Sequence, residues 1–205
     1  GSEMCIRDRA LTGTWQEKSW QEKPETVDFY TIKGVLENLF EQLAVADEIS
    51  YQPTTTMKDM HPGRTAEIYL GETYLGFVGQ VHPNTAKAYD IPETYVAEFD
   101  LSSVVSAAQK GITFQAVTKF PSVTRDIAML VKETVTNQEV MTVIRAAAGK
   151  FLTSIQLFDV YQGQNIEPGY KSLAYSLPFT NPEATMTDEE INQAMAKVEK
   201  KLTET

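Results

Sequence analysis

The chain has 205 residues, 42% of them hydrophobic and 22% charged, with a single cysteine and a formal net charge of −10. That composition fits a soluble globular protein of one or two domains and excludes a disulfide-stapled scaffold; no apolar run approaches the ~20 residues a membrane span needs, and GSEMCIRDRA carries no secretory signal. Residues 1–109 hold 8 Lys and Arg against 17 Asp and Glu, while residues 110–205 hold 10 against 11, so the first half is a poor partner for phosphate backbones and only the second can carry a local basic patch.

In chain order, RALTGT (9–14) reads as a short strand and the polar stretch 15–27 as a loop. Phe29, Ile32, Leu36, Leu39, Phe40 and Leu43 recur every three or four positions and predict a helix over about 28–44. Ile49-Ser50-Tyr51 predicts a strand, followed by a turn around Pro53. Residues 65–71 and 74–82 predict two strands joined at Gly71-Glu72-Thr73. Pro83 opens a short helix to about Tyr89, and TYVAEFDL (94–101) alternates as a strand. Ser102 or Ser103 is positioned to cap a helix ending near Gly111. Residues 111–122 have no clear period and mark a domain boundary.

Beyond that boundary the pattern sharpens. VTRDIAMLVK (123–132) alternates, with Val123, Arg125, Ile127, Met129 and Val131 on one face. Thr136 and Glu139 form a capping box before a helix striped by Val140, Val143, Ile144 and Ala147 and ended by Gly149. Residues 152–162 and 170–179 predict strands around the turn GQNIEPG. Thr187 and Glu190 form a second capping box, and Ile191, Met195, Val198 and Leu202 stripe the last helix. The order β-α-β-β-α is one strand short of the ferredoxin-like pattern, and the sequence stops at Thr205, where a fourth strand is expected to begin.

No P-loop, G-x-G-x-x-G, H-E-x-x-H or paired-cysteine motif is present. The glycines of GETYLGFVG fall on a strand and its turn, whereas a phosphate cradle needs them at a helix N-terminus. Asp188, Glu189 and Glu190 sit in a helix's first turn, where the macrodipole favours carboxylates. The chain's two histidines, His61 and His82, each precede proline, a context that favours extended backbone at strand ends. They read as structural punctuation, not as a metal or catalytic site. Cys5 lies near the terminus and reads as structurally neutral.

Six ordered segments carry a resemblance: DFYTIKGVLENLF (28–40), HPGRTAEI (61–68), GFVGQVHP (76–83), FPSVTRDIAML (120–130), LFDVYQGQNIEPGYKSLAYSL (157–177) and MTDEEIN (186–192). In this order they resemble the C-terminal part of the bacterial phenylalanyl-tRNA synthetase β-subunit family. The resemblance implies an α+β protein in two parts. Residues 1–109 would be the C-terminal part of a non-catalytic, antiparallel class II synthetase-like domain. Residues 118–205 would be a ferredoxin-fold anticodon-binding domain.

The same resemblance implies an α₂β₂ enzyme that joins phenylalanine to tRNA(Phe) in the cytoplasm. The intact enzyme uses ATP and Mg2+, with chemistry in the α subunit. This fragment is expected to bind no cofactor and to be inactive alone: between Leu43 and Ser102 the only arginine is Arg64, so the class II catalytic arginine motif is missing. The alternative is a purely structural or dimerisation piece without RNA binding of its own.

Candidate residues follow from the face each would occupy. Ile127, Met129, Leu173 and Leu177 share one face, toward the helices, and Ser172 and Ser176 take the other. Tyr161 is open to either phase. Arg125 and Lys171 lie near strand ends, where long side chains reach past a core. Arg125, Tyr161, Lys171 and Ser172 are the tRNA-binding candidates. Tyr161 packing in the core and Arg125 pairing with a nearby carboxylate are the structural alternatives. Arg64 and His82 are the subunit-contact candidates, and for Arg64 simple solvation stays open beside a fixed ion pair.

Overall fold

The structure, a computed structural model, describes residues 5–20, 23–108 and 118–204. Two units emerge, residues 1–113 and 114–205.

In the first unit, five strands form one antiparallel sheet: β1 (Ile6–Thr12), β4 (Ile49–Pro53), β5 (Met60–Leu70), β6 (Thr73–Val81) and β7 (Thr94–Asp100), in the order β1-β7-β6-β5-β4. Helix α1 (Phe29–Gln42) buries Ile32, Leu36 and Phe40 against Ile68, Val78, Ala97 and Phe99, and the rings of Phe40 and Phe99 meet edge to face. The helix begins where its residues require. Asp28 Oδ1 accepts from the Thr31 amide at 2.7 Å, and the Thr31 hydroxyl oxygen accepts from the Asp28 amide at 3.2 Å, which satisfies donors the first turn leaves free. The helices α2 (Pro83–Ala88) and α3 (Leu101–Ala108) follow β6 and β7.

Several boundaries differ from the sequence expectation, each for a local reason. The supposed loop 15–27 contains a small hairpin, β2 (Thr14–Gln16) with β3 (Glu25–Thr26), too short to show alternation. Pro53 closes β4 instead of turning the chain; β4 is an edge strand, where a missing N–H costs nothing. β5 starts at Met60, ahead of HPGR, with its register interrupted between Met60 and Thr65. Asp100 caps α3 instead of Ser102 or Ser103: its Oδ1 accepts from the Ser102 amide at 2.9 Å and its Oδ2 from the Ser103 hydroxyl at 2.6 Å. The expected helix end near Gly111 lies outside the described residues.

The second unit holds β8 (Val123–Lys132), α4 (Asn137–Ala148), β9 (Gln156–Tyr161), β10 (Tyr170–Phe179) and α5 (Asp188–Glu204). Among the described residues its sheet has three strands in the order β8-β10-β9, all antiparallel, the number expected from the sequence. β9 is shorter than 152–162, because Leu152 contributes only an isolated bridge to Phe179 before the chain joins the ladder. Val140, Ile144, Ile191 and Val198 from the helices pack on Leu173, Tyr175, Leu177 and Phe179.

Both capping boxes form. The Thr136 amide and hydroxyl donate to Glu139 Oε2 at 2.7 and 2.8 Å, and those of Thr187 donate to Glu190 Oε2 at 2.8 and 3.0 Å. These bonds, the backbone ones first, hold both carboxyls below their ordinary value of 4.5. A depressed carboxyl contributes stability that is complete above its unfolded value and is lost as pH falls through the folded one. The second unit is therefore expected to lose stability as pH drops below about 4.5. Urea midpoints at pH 7 and pH 3 measure this, and the double substitution Glu139→Gln with Glu190→Gln should shrink the difference. An unchanged difference would remove the capping boxes as its source.

Candidate nucleic-acid interface

The second unit's sheet has two unlike faces. Register pairs Met129 with Leu173, Ile127 with Tyr175, Arg125 with Leu177 and Val123 with Phe179. Apart from Arg125 these are apolar, and they meet α4 and α5. The alternate phase pairs Lys132 with Tyr170, Leu130 with Ser172, Ala128 with Ala174, Asp126 with Ser176 and Thr124 with Pro178. All five β8 residues of that phase are exposed.

β9 completes this outer face. Tyr161 pairs with Ser172, Asp159 with Ala174 and Gln156 with Ser176, with a bulge at Phe158. A row of Leu130, Ser172 and Tyr161 therefore crosses all three strands on one face. Leu130 is 64% exposed, Phe158 54% and Tyr161 43%. The central strand offers small side chains, Ser172, Ala174 and Ser176, between larger flanking ones. An exposed face carrying the Tyr161 ring and the Ser172 and Ser176 hydroxyls suits unstacked bases, which recognition sheets hold by stacking and by bonds to base edges. Asp126 and Asp159 share this face, so bulk positive charge is not its device.

The four sequence candidates separate. Tyr161 and Ser172 stand opposite each other on the outer face, which resolves the open phase of Tyr161. Arg125 and Lys171 belong to the other phase, paired with Leu177 and Val131. Arg125 Nη2 bonds Asp188 Oδ1 at 3.0 Å, and Lys171 Nζ donates to the Glu133 carbonyl at 3.0 Å. Lys132 was not among the candidates. It is exposed on the outer phase beside Tyr170, and alternation from Val131 would have placed it there.

In the first unit, Arg64 is not merely solvated: its Nη1 donates to Oε1 of the buried Gln80 at 2.9 Å, and among the described residues it forms no carboxylate pair. Burial and the hydrogen bond to Glu93 raise the Tyr95 phenol, and Arg64 alongside acts the other way. The two histidines serve similar turns. His61 Nδ1 accepts from the Gly63 amide and His82 Nδ1 from the Asn84 amide, both at 3.1 Å, and His82 is the N-cap of α2. Among the described residues no three His, Cys, Asp or Glu side chains converge as a metal site. No described helix is long and apolar enough to cross a membrane.

Comparison with known families matches both units. Residues 9–101 match the phenylalanyl tRNA synthetase beta chain CLM domain, and residues 118–205 match the ferredoxin-fold anticodon binding domain. The class is thus a tRNA-synthetase β-chain segment followed by a ferredoxin-fold anticodon-binding domain. The phenylalanine–tRNA ligase beta subunit of Streptococcus pneumoniae serotype 4 is 52% identical over 195 residues, 95% of this chain. Those of Streptococcus pyogenes serotype M18 and Streptococcus agalactiae serotype Ia are 51% and 49% identical over the same share. The chain belongs to the phenylalanyl-tRNA synthetase β-subunit family. It spans about a quarter, 24%, of the length of these relatives.

Proposed function

We propose that the chain is part of a cytoplasmic phenylalanine–tRNA ligase β subunit whose second unit takes the anticodon region of tRNA(Phe) on its helix-free sheet face. The observation that carries this is the register setting Tyr161, Ser172 and Leu130 in one row on that face of a ferredoxin-fold anticodon-binding domain. Residues 118–205 act as this reader. Residues 1–109 act as the later part of a non-catalytic class II synthetase-like domain that scaffolds an α₂β₂ assembly with the α subunit. ATP and Mg2+ belong to the intact enzyme's chemistry in the α subunit. In this reading the first unit takes no nucleotide of its own, and Arg64, the one arginine between Leu43 and Ser102, bonds to Gln80.

In this reading Tyr161 stacks on a base, Ser172 bonds a base edge and Lys132 meets phosphate, while Arg125 and Lys171 secure the sheet to its surroundings. The domain's nearly neutral charge gives little long-range attraction. Affinity of the chain for tRNA is expected at roughly 10⁻⁴–10⁻⁶ M, weakening as salt rises. Tyr161→Ala should weaken it about tenfold, the scale of one lost stacking platform. Lys132→Ala should weaken it uniformly and flatten the salt slope by about one. The measurement is a titration of tRNA(Phe) and an unrelated tRNA at two salt concentrations. Unaltered binding by both variants would refute the assigned face.

A second reading, a structural or dimerisation piece, draws on the exposed Trp15 and Tyr30, which line a hollow with Gly34 and Asn38 on the outer side of α1. Failure of all three proteins to bind tRNA at low salt would favour it.

A further inference from the structure

Three glycines of the second unit make different demands. Gly149 and Gly169 have φ of +82° and +88°, in the region that favours glycine, and an added Cβ at either would meet open space. Gly163 is the reverse. It is absent from the positive-φ residues, so its backbone is open to any L-residue. An added Cβ there would lie 2.5 Å from the Tyr161 hydroxyl oxygen, 2.7 Å from its Cζ and 3.3 Å from its Cε1. These three nearest atoms all belong to one side chain. The requirement at 163 is therefore one of space, and the space is filled by the Tyr161 ring.

The ring accordingly leans along the chain, past the end of β9, onto the bare backbone of residue 163. Its cross-strand partner Ser172 stays half-exposed. A methyl group at 163 could not share that position with the ring. The obstacle is the free end of a side chain, not backbone, so the ring would move and the sheet would stay. Side chains in close-packed contact shift rather than interpenetrate.

We propose that Gly163 is a positioning residue: its missing side chain fixes where the Tyr161 ring lies, and thereby the geometry of a stacking platform for an unpaired RNA base. This rests on the RNA reading of the outer face. Gly163 touches no RNA in this scheme and acts only through Tyr161.

The test uses the full 205-residue chain with Gly163→Ala, Tyr161→Ala and the double variant, and the anticodon stem-loop of tRNA(Phe) as probe. In the parent chain, proton NMR should show contacts between the Tyr161 ring and the Gly163 α-protons. Gly163→Ala should change the ring's contacts while the amide shifts of β8 and β10 stay in place. Its affinity for the stem-loop should fall about tenfold, within the range lost when one base stack is removed. In the Tyr161→Ala background the same change should cost nothing more, the non-additivity expected of residues acting through one contact. Equal losses in both backgrounds would overturn the proposal, because Gly163 would then act without the ring. So would an unmoved ring, or full affinity in Gly163→Ala while Tyr161→Ala binds weakly. Full affinity in Tyr161→Ala would instead overturn the RNA reading, and the positioning role with it.

Discussion

Tyr175→Ala is expected to cost the second unit about 3–5 kcal/mol, a large share of the roughly 5–15 kcal/mol that holds a domain folded. Among the described residues Tyr175 is the largest fully buried side chain, at 0% exposure, in the middle of the central strand β10. Its ring faces the two helices, and burial pushes the phenol's pKa up to about 12. Its hydroxyl donates to Asn137 Oδ1 at 2.8 Å, which ties β10 to the first turn of α4. Two contributions are thus superposed, packing and one hydrogen bond. Tyr175→Phe separates them. Asn137 is exposed and can bond to water instead, so the lost bond should cost only about 0.5–1.5 kcal/mol. Urea titrations followed by second-unit amide signals give both values without assuming that the two units unfold together. Similar losses for Phe and Ala would show that the hydrogen bond, not the packed ring, secures the core.

The second large effect is expected from Gly76→Ala. A Cβ at Gly76 would lie 1.9 Å from the Glu98 carbonyl oxygen and 2.7 Å from the Phe99 Cα. Gly76 pairs with Phe99 in the β6–β7 ladder, near the middle of the five-stranded sheet. The obstacle is backbone already bonded on both sides, so the strands must part. Overpacking typically costs about 1–3 kcal/mol, and a backbone obstacle belongs at the top of that range or above. Gly34→Ala is the opposite case. Gly34 lies inside α1 with nothing within 4 Å of an added Cβ. Alanine there is expected to stabilise the first unit by about 0.5–1 kcal/mol. Paired thermal denaturation of the two variants reads the contrast. A harmless Gly76→Ala would mean that β6 and β7 can part at this pair without loss, against the account.

The reading of the outer face shows where sequence is sufficient and where it stops. The strict alternation of β8 displayed its two faces directly, and Lys132 was legible by the same parity. β9 was not legible, because the bulge at Phe158 adds a residue between Leu157 and Asp159 and breaks the parity that would have placed Tyr161. Only the register against β10 decides it. The role of Arg125 was beyond local pattern for a different reason: its partner Asp188 lies 63 positions away. Local chemistry carried the helices well. The stripe of α1 and the threonine–glutamate boxes of α4 and α5 mark their ends through bonds between residues three apart. It misled at α3, because Asp100 both ends β7, as expected, and supplies the capping carboxylate that Ser102 or Ser103 was expected to provide. The small hairpin β2–β3 has too few residues to announce itself at all.

The most direct test of RNA binding on the helix-free face is amide chemical-shift mapping with the tRNA(Phe) anticodon stem-loop. Shifts are expected to concentrate on Leu130, Lys132, Tyr161, Tyr170 and Ser172, and to spare α4 and α5. Shifts confined to the two helices, or spread evenly over both units, would contradict it.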